Sequence, residues 1–291
     1  MAMASPLPTP ELGLSPEEAE FRFEKLQARL IPMWKQMSPE EEAREGGRTV
    51  VIVPSQSIEF DCKGAEMQAY EERMLFMLML LREPRTRVIY VTSQTILPTT
   101  LDYYLSLMPG VITSHARERF TNISPEDRSP RGLTVKLLER PHLCRKIRSL
   151  IDDPAQAYIQ TYTVTLAERD LALRLGLPLF GSDPSLFYLG GKSGGREVFE
   201  KAGVTYPAGS ENLTSMDAVQ DALAEMMSKR PDATKAMVKL NDGISGEGNA
   251  LIDLSGLPSP GEAEHGQHLK ERLGSMQYEC ASVTLESFSK G

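Results

Sequence analysis

The stretch Ala236–Leu254, AMVKLNDGISGEGNALIDL, holds two apolar runs separated by a glycine-rich loop. Lys239 lies in the first run, and the loop contains Gly243, Gly246 and Gly248. A lysine among apolar neighbours is costly to bury unless its charge is paired, and glycines let a loop fold backbone N–H groups around an anion. The pattern predicts two strands joined by a phosphate-covering loop. A hairpin with a flexible tip and a lysine that reaches solvent is the alternative these residues leave open.

A second glycine-rich segment with a lysine, GGKSGGR, lies at residues 190–196. Lys192 and Arg196 are four residues apart, so they share one face of a predicted helix. Its first turn offers N–H groups and a dipole that favour an anion. The segment therefore predicts a polyphosphate site, with two solvated cations as the alternative. It is not a P-loop, because the first glycine of that motif would fall on Leu186. The side chains expected to face the core are Val198, Phe199 and Ala202.

Upstream of these segments, short apolar runs alternate with helical patterns. Residues 49–57, 87–94, 157–165 and 177–182 read as strands, and the segments between them read as helices. The alternation predicts an α/β fold with an open, mostly parallel sheet, followed by a smaller α+β unit. We expect an N-terminal helical arm over residues 1–48, an α/β domain over 49–181 and the second unit over 182–291.

The N-terminal segment carries the tetrapeptide Ser-Pro-Glu-Glu twice, at Ser15–Glu18 and Ser38–Glu41. Serine as N-cap, proline at the first helical position and a glutamate at the third are helix-start signals. One helix face is expected to consist of Phe21, Phe23, Leu26, Leu30 and Trp34.

Composition limits the classes of function. Asp and Glu number 40 against 32 Lys and Arg, a net charge of -8, which argues against broad binding to nucleic acid or acidic membranes. The 3 cysteines are widely separated and form no disulfide or zinc pattern. No signal peptide or membrane-spanning run is evident, so a cytoplasmic location is expected.

Two long stretches carry a resemblance to a known family. Residues 183–209, DPSLFYLGGKSGGREVFEKAGVTYPAG, and residues 237–249, MVKLNDGISGEGN, resemble the ATP-grasp ligases related to the peptide ligase of pheganomycin biosynthesis. The likeness extends from about Thr49 to Leu254. It implies a pre-ATP-grasp-like α/β domain followed by an ATP-grasp lobe that is incomplete at Gly291.

The resemblance also implies the activity and the cofactor-binding residues. Such ligases pass the terminal phosphate of ATP to a carboxylate, with Mg²⁺ bridging the phosphates, and an amine then attacks the acyl phosphate. Lys192 matches the first nucleotide lysine, Lys239 the strand lysine, and Arg196 a position of uncertain role in the same signature. The matching loop positions are Asn241, Gly243, Ser245, Gly246, Gly248 and Asn249.

The family places its metal carboxylates later than this chain extends, so metal ligands are expected outside it and no catalytic residue is assigned. Glu279 and Glu286 are interpreted as isolated surface residues on helices. The expected partners are a small carboxylate and an amine or amino acid, without nucleic acid or membrane, and a second copy of the chain stays open. The alternative function is a catalytically silent nucleotide-binding scaffold.

Weaker candidates lie elsewhere. His265 and His268 are three residues apart and could hold a metal, although their polar context favours a loop. The basic cluster Arg140–Arg148 could hold an anionic substrate, although a solvated helix face is commoner. Glu59 and Asp61 follow the first strand, where α/β sheets bind ligands. The methionines expected to fill the core are Met74, Met77 and Met79.

Overall fold

The chain forms two compact units. The computed structural model describes residues 13–35, 47–57, 64–241, 248–280 and 283–290. The N-terminal unit ends at Pro184, and the C-terminal unit begins at Ser185.

The N-terminal unit is built on a parallel sheet of five strands in the order β3-β2-β1-β4-β5. Its strands are β1 Arg48–Val53, β2 Thr86–Val91, β3 Phe120–Ile123, β4 Ala157–Thr161 and β5 Leu179–Phe180. In the register, Val51 lies beside Ile89 of β2 and Ile159 of β4. An all-parallel sheet needs cover on both faces, and this is why β1 is a continuous apolar run. The predicted α/β class with an open parallel sheet is confirmed.

Helices cover both faces of this sheet. They are α1 Pro16–Gln27, α2 Leu30–Lys35, α3 Gly64–Arg73, α4 Pro98–Ser106, α5 Thr113–Glu118, α6 Leu133–Leu138, α7 Pro141–Ser149 and α8 Leu166–Leu175. Val51 and Val53 face one core cluster, which includes Leu171 of α8. Val50 and Ile52 face the other, which includes Leu105 of α4. The sheet is therefore packed between two apolar layers.

The helical segment between β1 and β2 changes from an α-helix to a tighter helix after Arg73. Residues Met74–Arg82 form a 3₁₀ helix. Leu75, Leu78 and Leu81 are buried at a spacing of three, which matches the three residues per turn of that helix. Met79 is 53% exposed, so its assignment to the core is wrong, whereas Met74 and Met77 pack against the cluster.

Helix α1 packs onto the N-terminal unit. The Ser15 side chain caps it by accepting from the Glu18 N–H at 3.2 Å, as the first Ser-Pro-Glu-Glu predicts. Phe23 is buried in the core, but Phe21 is exposed, so the predicted apolar face is wrong at that position. The Gln27 side chain bonds both the N–H and the C=O of Leu179, and it thereby extends edge strand β5. The second tetrapeptide lies outside the described residues.

Buried charges tie together the loops at the carboxyl ends of the strands. The Lys136 ammonium donates to Ser93 Oγ at 2.7 Å, and Ser93 Oγ donates to the Glu71 carboxylate at 2.6 Å. Burial raises the pKa of Glu71 and lowers the pKa of Lys136. Glu168 is fully buried, accepts from Ser57 Oγ and completes the capping box at the start of α8.

The C-terminal unit combines helices with a small antiparallel sheet in the order β6-β7-β8. Its elements are α9 Phe187–Gly190, α10 Lys192–Lys201, α11 Met216–Lys229, β6 Lys235–Lys239, β7 Asn249–Asp253, α12 His265–Gly274, β8 Gln277–Tyr278 and α13 Leu285–Lys290. Ala250 and Ile252 of β7 are buried against Leu223 of α11 and Leu269 of α12. The two strands on either side of the glycine loop are therefore paired, as their apolar runs predict.

No helix in the described part of the chain has the length and apolar character to cross a bilayer.

The buried Glu168 predicts a pH-dependent stability. Burial raises its pKa above the ordinary value of 4.5, so the folded state keeps a proton that the unfolded state has lost. The stability that this group contributes is present below pH 4.5 and is lost as pH rises through the folded pKa. In urea unfolding from pH 4.5 upward, we expect Glu168→Gln to remove this decline. A parent-like pH slope in Glu168→Gln would contradict the assignment, and the exposed Glu118→Gln is the matched control.

Candidate functional site

One residue joins the two lysine-bearing segments of the C-terminal unit. Asn241 follows β6, and its backbone C=O accepts from the N–H of Lys192 at 3.1 Å. Its side-chain Oδ1 accepts from the N–H of Ser193 at 2.9 Å. Helix α10 has Gly191 at its N-cap and no side-chain cap from that residue, so Asn241 supplies the acceptors that its first turn needs.

This junction changes the expected anion site. The N–H groups of Lys192 and Ser193 donate to Asn241, and they are therefore not the donors expected for a phosphate. The Lys192 ammonium lies 3.4 Å from the Asn241 carbonyl oxygen, beside the start of the loop that follows β6. The cation at this helix start is therefore the Lys192 side chain, and the two N–H groups of the helix terminus are already paired.

A glycine allows α9 and α10 to approach closely. A Cβ on Gly194 would lie 2.1 Å from the carbonyl oxygen of Tyr188 and 2.9 Å from the Cα of Leu189. Both are backbone atoms and cannot rotate away. Gly194 is therefore required by packing between the helices, while a Cβ on Gly195 would meet its nearest atom at 3.7 Å, an ordinary contact.

Arg196 makes contacts within the protein. Its guanidinium forms an ion pair with Glu211, donates to the C=O of Pro207 at 2.8 Å and stacks over the Tyr206 ring at 4.7 Å. These contacts hold the segment after α10 and direct the guanidinium toward it. The residues predicted to face the core from α10 are wrong, because Val198 and Phe199 are 40% and 45% exposed and Ala202 is exposed.

Strand β6 differs from the buried strand that its apolar residues predict. Its side chains alternate, with Lys235, Met237 and Lys239 exposed and with Ala236 and Val238 packed on the core. The Lys239 ammonium is therefore solvated, and it lies on the face of β6 that points away from the core. A hydrated ammonium can exchange water for a phosphate at little cost in desolvation.

The far side of the loop is held by a glycine and an asparagine. Gly248 has φ +82° and accepts from the N–H of Leu240 at 2.8 Å. Asn249 pairs with Lys239 in the register, and its amide donates to Glu279 at 2.9 Å. Glu279 follows β8 and is not on a helix, so its interpretation as an isolated helical residue is wrong, while Glu286 lies on α13.

Three of the predicted loop positions, Gly243, Ser245 and Gly246, lie outside the described residues, as do Glu59 and Asp61. Of the nine residues expected to bind a cofactor, the structure places Lys192, Asn241 and the β6–β7 pair Lys239 and Asn249 around one end of the small sheet.

The weaker candidates have structural roles. His265 is buried and its Nδ1 lies 2.7 Å from the C=O of Pro258, while His268 Nδ1 lies 3.1 Å from the C=O of Glu264. Across the described residues, no group of three or more His, Cys, Asp or Glu comes together to hold a metal. In the basic cluster, Arg140 is paired with Asp127 at 2.9 Å.

Comparison with known proteins gives a family for the segment that holds this site. Residues 185–285 match the family model described as IQCH-like, ATP-grasp. The chain is 34% identical to L-propargylglycine--L-glutamate ligase of Streptantibioticus cattleyicolor over 199 residues, which cover 66% of this chain and 41% of that protein. It is 29% identical to IQ motif-containing protein H of Danio rerio over 235 residues, 73% of this chain and 22% of that protein.

Residues 185–285 thus match an ATP-grasp family, and the resemblance drawn from the glycine-lysine segments is confirmed. The chain matches less than half of the length of each of these relatives. No solved structure matches it.

The two neighbouring glycines of α10 give a matched test of the packing. We expect Gly194→Ala to destabilise the C-terminal unit, since the new methyl group meets fixed backbone atoms. Gly195→Ala should instead raise its stability by about 1 kcal/mol, the difference in helix propensity between alanine and glycine. Chemical unfolding of both variants measures the effect. Equal stability changes of the same sign would contradict the close approach of α9 and α10.

Proposed function

We propose that the chain carries the phosphate-binding lobe of an ATP-dependent ligase that joins a carboxylate to an amine or amino acid. The observation that carries the proposal is the Asn241 junction, which holds the start of α10 and the end of β6 together. This junction brings Lys192 close to the end of β6, the strand that carries Lys239, so we assign both cations to one site. The relative named as a ligase of two amino acids supports a peptide-type product.

The proposed reaction has two steps. A carboxylate oxygen of the first substrate attacks the terminal phosphorus of ATP, and ADP leaves with the electrons of the broken P–O bond. The amine of the second substrate then attacks the acyl phosphate, an amide bond forms, and inorganic phosphate leaves. The positive charges of Lys192 and Lys239 bind and orient the phosphates. They also stabilise the negative charge that develops on the phosphate oxygens during transfer.

The donors present fit a triphosphate better than they fit a metal. Lysine ammonium groups and the backbone of a glycine-containing loop are phosphate ligands. The proposal assigns no Mg²⁺ ligand among the described residues, because they hold no cluster of three suitable side chains. Mg²⁺, which ATP-grasp ligases generally use, would neutralise phosphate charge.

The proposed division of labour follows the two units. Residues 182–291 would form the first ATP lobe and residues 49–181 would hold a substrate. In open α/β sheets, ligands bind at the carboxyl ends of strands where the strand order reverses. Here the order reverses between β1 and β4, where Ser55 and Thr163 are linked by hydrogen bonds. A cytoplasmic location, where ATP is abundant, belongs to the same proposal.

A second candidate function is a nucleotide-binding module without turnover. It is favoured by the match to the IQCH-like family model and to IQ motif-containing protein H, a relative whose name describes no enzymatic activity. The two candidates differ in one observable. A ligase forms ADP in the presence of its carboxylate and amine, whereas the module binds ATP and leaves it intact.

Calorimetric titration with Mg·ATP tests the shared nucleotide site. We expect Lys192→Ala and Lys239→Ala each to weaken binding by about tenfold or more, because a hydrogen bond to a charged group contributes about 1.5–3 kcal/mol. Lys235→Ala is the matched control, since Lys235 is exposed on the same face of β6 at its other end. It should leave affinity unchanged. A folded parent chain that does not bind ATP, or equal losses in all three variants, would contradict the site.

A further inference from the structure

The segment after α10 folds back over the first turns of that helix. We call residues 206–212 the clasp. Arg196 of α10 contacts the clasp along its length: it stacks over Tyr206 and donates to Pro207 at the start, and it pairs with Glu211 near the end that Asn212 occupies. A Cβ on Gly209 would lie 3.2 Å from the Arg196 guanidinium, so the clasp passes close to this side chain.

At the end of the clasp, Asn212 bonds three groups of the helical region. Its backbone N–H donates to Ser193 Oγ at 3.2 Å. Its side-chain Nδ2 donates to Tyr188 Oη at 3.0 Å and to Glu197 Oε1 at 3.2 Å. The Tyr188 hydroxyl in turn donates to the Glu197 carboxylate. Asn212 therefore links α9, α10 and the clasp.

The backbone of Asn212 is in the left-handed region, with φ +56°. Among the described residues, the only other non-glycine residue with positive φ is Glu126. This conformation is disfavoured for residues that carry a side chain, and it persists where surrounding contacts hold it. The three hydrogen bonds of Asn212 are such contacts, and one of them reaches Ser193, the residue next to Lys192.

Ser193 is consequently held from two sides. Its N–H donates to Asn241 Oδ1, and its Oγ accepts from Asn212. The residue before it is Lys192, whose backbone N–H also donates to Asn241. The first turn of α10 is thus held by two residues, by Asn212 of the clasp and by Asn241 at the end of β6.

We infer that Asn212 is a positioning residue for nucleotide binding: through Ser193 it fixes the first turn of α10 and so the direction of the Lys192 ammonium toward a polyphosphate. The inference rests on the proposed function, because it assigns Lys192 to the phosphates. The resemblance implies that the neighbouring Arg196 lies with the nucleotide residues. The inference instead gives Arg196 the role of holding the clasp.

Asn212→Gly tests the inference without adding strain. Glycine adopts the left-handed conformation freely, so the fold and the melting temperature should stay close to those of the parent. Glycine keeps the backbone N–H that donates to Ser193, but it loses the side-chain bonds to Tyr188 and Glu197 that hold this backbone in place. We expect the dissociation constants for Mg·ATP and for inorganic tripolyphosphate to rise by about fivefold, within the range of couplings measured inside one hydrogen-bond network. Ser193→Ala, which removes the acceptor of the Asn212 N–H, should give a loss of the same direction.

A double-mutant cycle separates positioning from a general loss of structure. In the Lys192→Ala background, Asn212→Gly should cause no further loss of affinity, because the side chain that it positions is gone. The control is Glu126→Gly, which replaces the other left-handed non-glycine residue with glycine in the N-terminal unit and should leave binding unchanged.

The outcomes are distinguishable. Unchanged affinity in both Asn212→Gly and Ser193→Ala, with the parent binding ATP normally, overturns the positioning role and leaves the nucleotide site intact. Equal losses with and without Lys192 overturn it as well, since they place the effect elsewhere. Failure of the parent chain to bind Mg·ATP overturns the proposed function, and the positioning role falls with it.

Discussion

The pair of hydrogen bonds from the first turn of α10 to Asn241 is the interaction on which the proposed nucleotide site depends. Helix α10 has no capping side chain at its N-cap, so the N–H groups of its first turn need other acceptors. Asn241, which follows β6, provides them. The same contact therefore stabilises the helix and fixes the distance between two elements far apart in sequence. The proposal that Lys192 and Lys239 act on the same phosphates rests on this contact, because Asn241 connects the start of α10 to the end of β6.

The surrounding packing supports this junction. Gly194 permits α9 to press against α10, and Gly248 permits the chain to return into β7 with a left-handed backbone. Strand β7 packs on the core of the C-terminal unit through the buried side chains of Ala250 and Ile252. In the proposed ligase, catalysis would require charges that are positioned before the phosphates bind, and a helix start held by Asn241 would meet that requirement. The N-terminal unit is braced differently, by buried charges such as Lys136 that connect strand-end loops.

Much of the fold follows from the order of residues. The β-branched run of β1 requires burial on both faces, which predicts a parallel sheet, and Gly176 ends α8 in the left-handed conformation that its position indicates. The site was only partly predictable. Lys239 lies in an apolar run, yet it is exposed, because β6 packs one face on the core and leaves the other in water. Nor could spacing reveal that Arg196 pairs with Glu211, since that contact depends on the path of the clasp. The left-handed Asn212 carried no signal beyond being an asparagine, a residue that tolerates this conformation.

The most direct test of the account is lysine footprinting of the chain with and without Mg·ATP. A reagent that acylates accessible ammonium groups would be followed residue by residue with mass spectrometry. The account predicts that saturating Mg·ATP protects both Lys192 and Lys239, while Lys235, on the same exposed face of β6 as Lys239, reacts at an unchanged rate. Equal modification of Lys192 and Lys239 with and without nucleotide would contradict the claim that Asn241 assembles one phosphate site from two elements.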